Sequence, residues 1–221
     1  MRVRFRFTKH GKVRFTSHRD VARLWERALR RGSLPVALTE GFSPRPKVHF
    51  GLALSTGHES MGEYLDVDFR PDDVGGLVIE ELPALLSPLL PPGLEVTLAA
   101  LADRSEDSLQ QAVTLCSWRI EVPDLDADHL AQEVASLLAR SSVEVTRERK
   151  GKAVTDDIRP YVHLLEVADG VLYAELGTQP RGLRPGELLA AFEAPATEGL
   201  VCRTHQWIST DGARREPLAA A

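Results

Sequence analysis

The chain has 221 residues, 43% of them hydrophobic and 27% charged, the composition of a soluble globular protein with one large or two small domains. No apolar run reaches the length of a membrane span. The N-terminus alternates Arg with Val and Phe instead of presenting the unbroken apolar stretch of a signal peptide, so a cytoplasmic chain with no membrane partner is expected.

The net charge of −5 conceals a division: residues 1–50 carry 13 Lys and Arg against 3 Asp and Glu, and residues 51–140 carry 4 against 17. Such a division predicts either a polarised surface field or two segments that pair and neutralise each other.

In chain order, Val3, Phe5 and Phe7 alternate with Arg2, Arg4 and Arg6, and Val13 and Phe15 alternate with Arg14 and Thr16. Linked by Lys9-His10-Gly11-Lys12, the two runs predict an N-terminal hairpin with one apolar and one cationic face. Ser17 and Asp20 stand three apart, as in a capping box with Asp for the usual Glu. Val21, Leu24, Trp25, Ala28 and Leu29 then recur at helical spacing, Arg19, Arg23, Arg27, Arg30 and Arg31 fall mostly on another flank, and Gly32 offers a stop. Past a proline-rich loop, residues 48–54 and 63–69 read as strands, and 73–90 as a helix disturbed by Pro83 and Pro88. Pro91-Pro92-Gly93 breaks the chain before a strand at 94–98.

Residues 103–112 are polar and read as a linker, after which a similar order recurs. Residues 118–122 read as a strand, 127–140 as a helix, 143–148 as a strand, and 147–152 as a basic turn around Gly151. A hairpin over 158–167 and 171–176 turns at Asp169-Gly170, and a short helix at 185–192 leads to a last strand at 200–208. Each half matches a split βαβ order. The expected class is therefore α+β: two ferredoxin-like units in tandem, with the extra N-terminal hairpin. The expected domains are a basic one at 1–102 and a second at 115–210, with a flexible tail at 211–221.

No phosphate-binding P-loop, dinucleotide GxGxxG, HExxH or nucleophile elbow is present, so no cofactor is expected. Cys116 and Cys202 are far apart and lack ligands at metal spacing, which favours buried free thiols over a disulfide framework or zinc site. His49 and His58, with Glu59 and Glu63, fit no standard ligand set, and no metal is expected.

The candidate chemistry is instead that of polyanion binding. A helix start at Ser17-His18-Arg19-Asp20 offers free N–H groups and a positive dipole end to phosphate, and Arg19 adds a guanidinium fork. His18, with Asp20, is the candidate general acid or base; its alternative is a structural hydrogen bond. The arginines at 19, 23, 27, 30 and 31 are interrupted only by Asp20 and Glu26. Like charges at this spacing cost about 0.2–0.5 kcal/mol per close pair, a cost that a bound polyanion removes. The bland alternative is a solvated helix face.

In Gly41-Phe42-Ser43-Pro44-Arg45-Pro46-Lys47, the prolines stiffen an arm on which Arg45 and Lys47 meet phosphates. Phe42 either stacks a base or tucks into the core. Arg4, Arg6 and Arg14, on the cationic face of the hairpin, complete the candidate nucleic-acid-binding set. Arg147, Arg149, Lys150 and Lys152 form either a second patch or an ordinary charged hairpin.

The stretch from Lys9 to Phe69, KHGKVRFTSHRDVARLWERALRRGSLPVALTEGFSPRPKVHFGLALSTGHESMGEYLDVDF, together with DDIRPYV and GLRPGELLAAF in the second half, resembles an uncharacterised family of radical-SAM-associated proteins. In that family the domain occurs fused behind a radical SAM enzyme or as a stand-alone chain. The matching residues are His18, Asp20, Arg27, Arg30, Arg31, Pro35, Gly41, Phe42, Pro44, Gly57, Ser60, Glu63, Asp157, Arg159 and Pro160. The chain departs from the pattern at Arg19, where the family often has Leu. The resemblance implies a radical SAM or RNA-processing partner and no established reaction. The chain lacks the CxxxCxxC of an iron–sulfur cluster, so it is not itself a radical SAM enzyme of the usual kind.

Taken together, the sequence reads as a non-catalytic RNA-binding or substrate-presenting module for tRNA or another structured RNA, acting with an RNA-modifying or RNA-processing enzyme. The alternatives are a metal-independent ribonuclease or RNA-modifying enzyme using His18, and a protein-binding adaptor whose acidic segment 59–81 meets a basic partner.

Overall fold

The computed structural model describes residues 1–70, 76–149, 151–210 and 213–218. The chain is a mixed α/β structure with few helices and mostly antiparallel strands. It forms two compact units: Met1–Val113 with Gln206–Ala221, and Thr114–His205.

In the first unit, strand β1 (Arg2–Lys9) lies between β3 (Glu59–Asp68) and β4 (Leu94–Leu101) and is antiparallel to both. The short β2 (Val48–Phe50) also pairs with β3. Helix α1 (His18–Arg31) connects β1 to β2. The two-residue period of β1 turns Val3, Phe5 and Phe7 inward, and that of β3 does the same for Leu65 and Val67. The same core buries Trp25, Ala28 and Leu29, the apolar stripe of α1. The Trp25 ring meets Phe5 at 5.6 Å and Phe7 at 5.1 Å. Each such side chain contributes about 1.5–3 kcal/mol by leaving water.

The expected N-terminal hairpin does not form. Both edges of β1 are occupied by β3 and β4, so residues 13–16 have no edge to pair with. Gly11, at φ 64°, turns the chain into a 3-10 turn at Gly11–Phe15. Only Val13 of that turn is buried. The strand expected at 48–54 ends at Phe50, where Gly51 donates its N–H to the Tyr64 carbonyl.

Of the expected helix at 73–90, residues 73–75 lie outside the described residues. The rest of that span holds only a short α2 (Leu82–Leu86) between 3-10 turns at Ile79–Glu81 and Ser87–Leu89. Pro83 and Pro88 each occupy a first turn, where a missing N–H costs nothing.

The polar stretch read as a linker carries α3 (Leu109–Ala112), whose Leu109 is buried. It belongs to the first unit. So does much of the expected flexible tail: β11 (Ala213–Arg215) pairs with β10 (Val201–Thr210), and Tyr64 donates its hydroxyl to Glu216 at 3.2 Å. These segments are apolar-poor. They are held by strand pairing and ion pairs, which hydrophobic periodicity does not report.

In the second unit, β9 (Val171–Gly177) pairs antiparallel with β5 (Leu115–Glu121) and with β8 (Val162–Ala168). Helix α4 (Ala127–Ala139) starts at Asp126, whose side chain accepts from His129 N–H, and packs on β8. Helix α5 (Pro185–Leu189) precedes β10. Ile120, Leu130, Leu137, Leu172 and Leu188 are fully buried. Strands β6 (Glu144–Arg149) and β7 (Lys152–Asp157) form a separate two-stranded ribbon about Gly151, at φ 74°. Cys116 and Cys202 are buried and form no disulfide. No helix among the described residues is long and apolar enough to cross a membrane.

Candidate nucleic-acid interface

Helix α1 begins as its sequence predicts. The Ser17 hydroxyl accepts from Asp20 N–H at 3.2 Å and donates to the Asp20 carboxylate at 2.7 Å. The helix ends where Gly32 donates to the Ala28 carbonyl, and Ser33 takes the left-handed conformation at φ 51°. At about 100° per residue, Arg19, Arg30, Arg23, Arg27 and Arg31 fall in that angular order within an arc of about 120°. All five are exposed. Arg23 pairs with Asp20 at 3.0 Å. Arg19, Arg27, Arg30 and Arg31 have no hydrogen-bond or ion-pair partner among the described residues. Arg30 and Arg31 sit in the last turn, where the dipole favours cations.

The turn leading into α1 adds residues that the alternation pattern hid. Phe15 is 63% exposed, with the Arg14 guanidinium 4.6 Å above its ring, and Lys12 of the same turn is exposed. The sequence placed Phe15 on an apolar strand face; the signal that it stands outside is Gly11, which ends the strand. Glu59 organises this turn. It accepts from Gly11 N–H at 2.8 Å and Arg14 at 3.3 Å, and it lies 3.6 Å from His10 Nδ1. Burial pushes the Glu59 carboxyl up, but Gly11, His10 and Arg14 outweigh it and hold the group below its ordinary range. Buried Lys9 donates from Nζ to the carbonyls of Arg14 and Thr16, both at 3.1 Å, fixing the turn from beneath.

The candidate catalytic residues His18 and Asp20 are engaged separately. The Ser17 hydroxyl first, then Arg23, hold the Asp20 carboxyl below its ordinary range. The His18 ring meets Phe50 edge-on at 5.1 Å. It stands at a cavity of about 20 Å³, room for one water, whose walls include Lys9 and Glu63.

The proline-rich loop is an arm closed at its base. Lys47 N–H donates to the Ala37 carbonyl at 2.8 Å, Thr39 N–H to the Arg45 carbonyl at 2.8 Å, and Leu38 bridges Pro46. Gly41, at φ 119°, sits at the tip where a side chain is disfavoured. Pro46 is buried, Lys47 is half-buried, and Pro44 and Arg45 are exposed. Phe42 is 109% exposed, so it takes no part in the core.

The β1 arginines have another fate. Arg4 is 4% exposed, with Nε 2.8 Å and Nη2 3.1 Å from the Asp66 carboxylate and Nη1 3.1 Å from Glu106. Arg2 pairs with Asp68 at 2.9 Å. Arg6 lies 3.7 Å from Glu216. Burial of the Tyr64 hydroxyl, aided by the Glu216 charge, pushes its pKa up. Acids of the negative segment thus neutralise Arg2 and Arg4, and Glu216 near the C-terminus serves Arg6, while most of the α1 cations have no such partner among the described residues.

In the second unit, Asp157 accepts from the N–H groups of Val143 at 2.8 Å and Arg159 at 3.0 Å. Arg159 donates to the carbonyls of Arg140 and Val162. DDIRPYV therefore ties the base of the β6–β7 ribbon. Arg147 pairs with Asp156 at 3.0 Å. Lys152 is exposed; Lys150 and the Arg149 side chain lie outside the described residues.

The profile of a family described as an uncharacterised protein conserved in bacteria, DUF2344, matches residues 2–185. The chain belongs to this family. The DUF2344 match takes in β1, α1, the proline-rich arm and the second unit as far as the start of α5. It names no activity, so the DUF2344 description leaves function to be argued from the site. No curated protein matches the chain.

Proposed function

We propose that this chain is a non-catalytic RNA-binding or substrate-presenting module that works with an RNA-modifying or RNA-processing enzyme. We read both units as ferredoxin-like, the first by its β4-β1-β3-β2 order and the second by its β5-β9-β8 order with a helix after β5.

The observation that carries the proposal is the arginine arc of α1: five exposed guanidinium groups, four without an internal partner among the described residues. Their mutual repulsion is a standing cost that phosphates relieve. Two exposed aromatics support the reading. Phe15, with Arg14 over one face of its ring, lies beside the helix start and Phe42 tips the closed arm, and each presents exposed ring surface on which an unpaired base can stack. Arg14, Arg45 and Lys47 supply flanking charge. Arg4 is outside the proposed interface because its guanidinium is occupied by Asp66 and Glu106, and Arg6 is directed to Glu216.

The resemblance to radical-SAM-associated proteins makes a radical SAM or RNA-processing enzyme the proposed partner, with the module presenting a structured RNA such as tRNA. We prefer the RNA reading to the adaptor alternative because part of the acidic segment is engaged within its own unit, although Glu80 and Glu81 stay exposed. Asp66, Asp68 and Glu59 of the acidic segment are paired with arginines of the same unit.

The test is a filter-binding series of the full chain with a structured RNA across ionic strength. Tight binding at low salt, weakening steeply as salt rises, is the expected outcome. Absence of binding even at low salt overturns the proposal. His18→Ala tests the enzymatic alternative. RNA turnover by the wild type, abolished in the variant with affinity retained, replaces the module reading with a catalytic one.

A further inference from the structure

We infer that the first unit carries a separate pocket, between β2 and α3, that receives one nucleobase by its hydrogen-bond donor edge, guanine best of the four. It rests on the RNA reading only for where the base comes from. The cavity encloses about 300 Å³. That is the small end of ligand sites and fits a base with its ribose.

Phe50, the last residue of β2, and Leu109, the first of α3, give it an apolar wall. Arg2 and Asp66, from neighbouring strands, give the polar side, and His49 and Gln110 are exposed lining residues.

Charge selects the ligand class. Arg2 is held by Asp68 at 2.9 Å, and Asp66 by Arg4 at 2.8 and 3.1 Å, so the lining charges are matched within the protein. A phosphate finds no uncommitted cation among these two pairs. A neutral planar heterocycle finds both an apolar face and a polar edge.

The Asp66 carboxylate then selects among bases. Each of its oxygens carries two lone pairs, and Arg4 uses one on each. The remaining capacity suits two adjacent donors. Guanine has them in N1–H and the N2 amino group, whereas uracil offers one N–H between two carbonyls that a carboxylate repels. Phe50 also takes the edge of His18 at 5.1 Å. One side chain therefore separates this pocket from the first turn of the arginine helix.

The experiment is calorimetric titration of the full chain with guanosine, adenosine, cytidine and uridine. Saturable binding with guanosine roughly tenfold or more tighter than uridine is expected, the discrimination of a two-point contact. Gln110→Trp, at an exposed position, is expected to block nucleoside binding while the melting temperature holds. Arg27→Ala with Arg30→Ala and Arg31→Ala is expected to weaken RNA but leave guanosine binding unchanged. Failure of the RNA reading and failure of this pocket are therefore distinguishable.

A short oligouridine containing one G, compared with oligouridine alone, identifies the source. A preference for the G-containing strand assigns the pocket to the bound RNA. Guanosine binding without that preference supports the pocket for a free nucleoside. No saturable nucleoside binding, equal affinity for all four, or binding undiminished in Gln110→Trp overturns the inference.

Discussion

Two arginine runs of the first fifty residues, one on β1 and one on α1, have the same chemistry and opposite fates. On β1, Arg2 and Arg4 stand directly across from Asp68 and Asp66 in the β3 register, and each pairs with its cross-strand neighbour. On α1, the arginines lie outside the stripe of Trp25, Ala28 and Leu29, and among the described residues Arg23 alone of the five is in an ion pair, with Asp20. The charge of a segment is therefore not the charge it offers. A strand's neighbours are fixed by register, and acids at matching positions neutralise it. An outward helix face meets only what the helix itself or a ligand brings.

The sharpest way to break this comparison is to remove Arg4. Its pair with Asp66 has both side chains 5% exposed, so Arg4→Ala leaves a buried carboxylate without its main partner. The expected loss is about 3–5 kcal/mol in urea unfolding. Arg4→Met combined with Asp66→Leu removes both charges and is expected to restore most of that stability. A loss below about 1 kcal/mol for Arg4→Ala places β1 with α1 and dissolves the contrast.

The reciprocal change on α1 is expected to leave the fold alone. Arg27→Ala with Arg30→Ala and Arg31→Ala removes exposed side chains that have no internal partner among the described residues, so stability is expected to stay within about 0.5 kcal/mol of wild type. RNA binding changes instead: the slope of log affinity against log salt flattens by about two to three. An unchanged slope measured by filter binding identifies the arc as a solvated face. Phe42→Ala is a smaller step on the same side. A fully exposed ring costs no core when removed, so the melting temperature holds while affinity for single-stranded RNA falls by about 1–3 kcal/mol.

Much of this contrast was legible in the sequence, and the missing part has a physical cause. The apolar stripe and start of α1 followed from spacing and from Ser17, because a helix sets its own neighbours within four residues. The alternation of Val3, Phe5 and Phe7 gave a strand, and the matching Leu65-Asp66-Val67-Asp68 alternation gave its partner's period. Alternation does not say which strand pairs with which. Residues 13–16 alternate equally well and form no strand, since Gly11 turns the chain and β3 and β4 fill both edges. The packed polar stretch at 103–112 and Glu216 were hidden for the same reason: their hold is an ion pair or a hydrogen bond with a residue about a hundred positions away or more.

The smallest effect concerns Asp68, where paired charge reaches the surface. Asp68 lies 2.9 Å from Arg2, 3.3 Å from Arg104 and 3.4 Å from His49. Burial raises its carboxyl pKa, but Arg2 first, then Arg104 and His49, outweigh burial and leave it below the ordinary value. A carboxyl depressed in the folded state binds its proton more readily in the unfolded chain. Its contribution is therefore complete above the unfolded pKa of about 3.9 and is lost as pH falls through the folded value. Asp68→Asn is expected to cost about 1 kcal/mol at neutral pH, as Arg2 and Arg104 are both partly solvated. At a pH below the depressed folded value the wild-type side chain is itself neutral, and the two proteins are expected to unfold at nearly the same urea concentration. Paired urea curves at the two pH values measure the difference. A cost that persists undiminished in acid means that Asp68 acts through hydrogen-bond geometry and not through its charge, and the neutralisation of β1 then rests on the acids paired with Arg4 and Arg6.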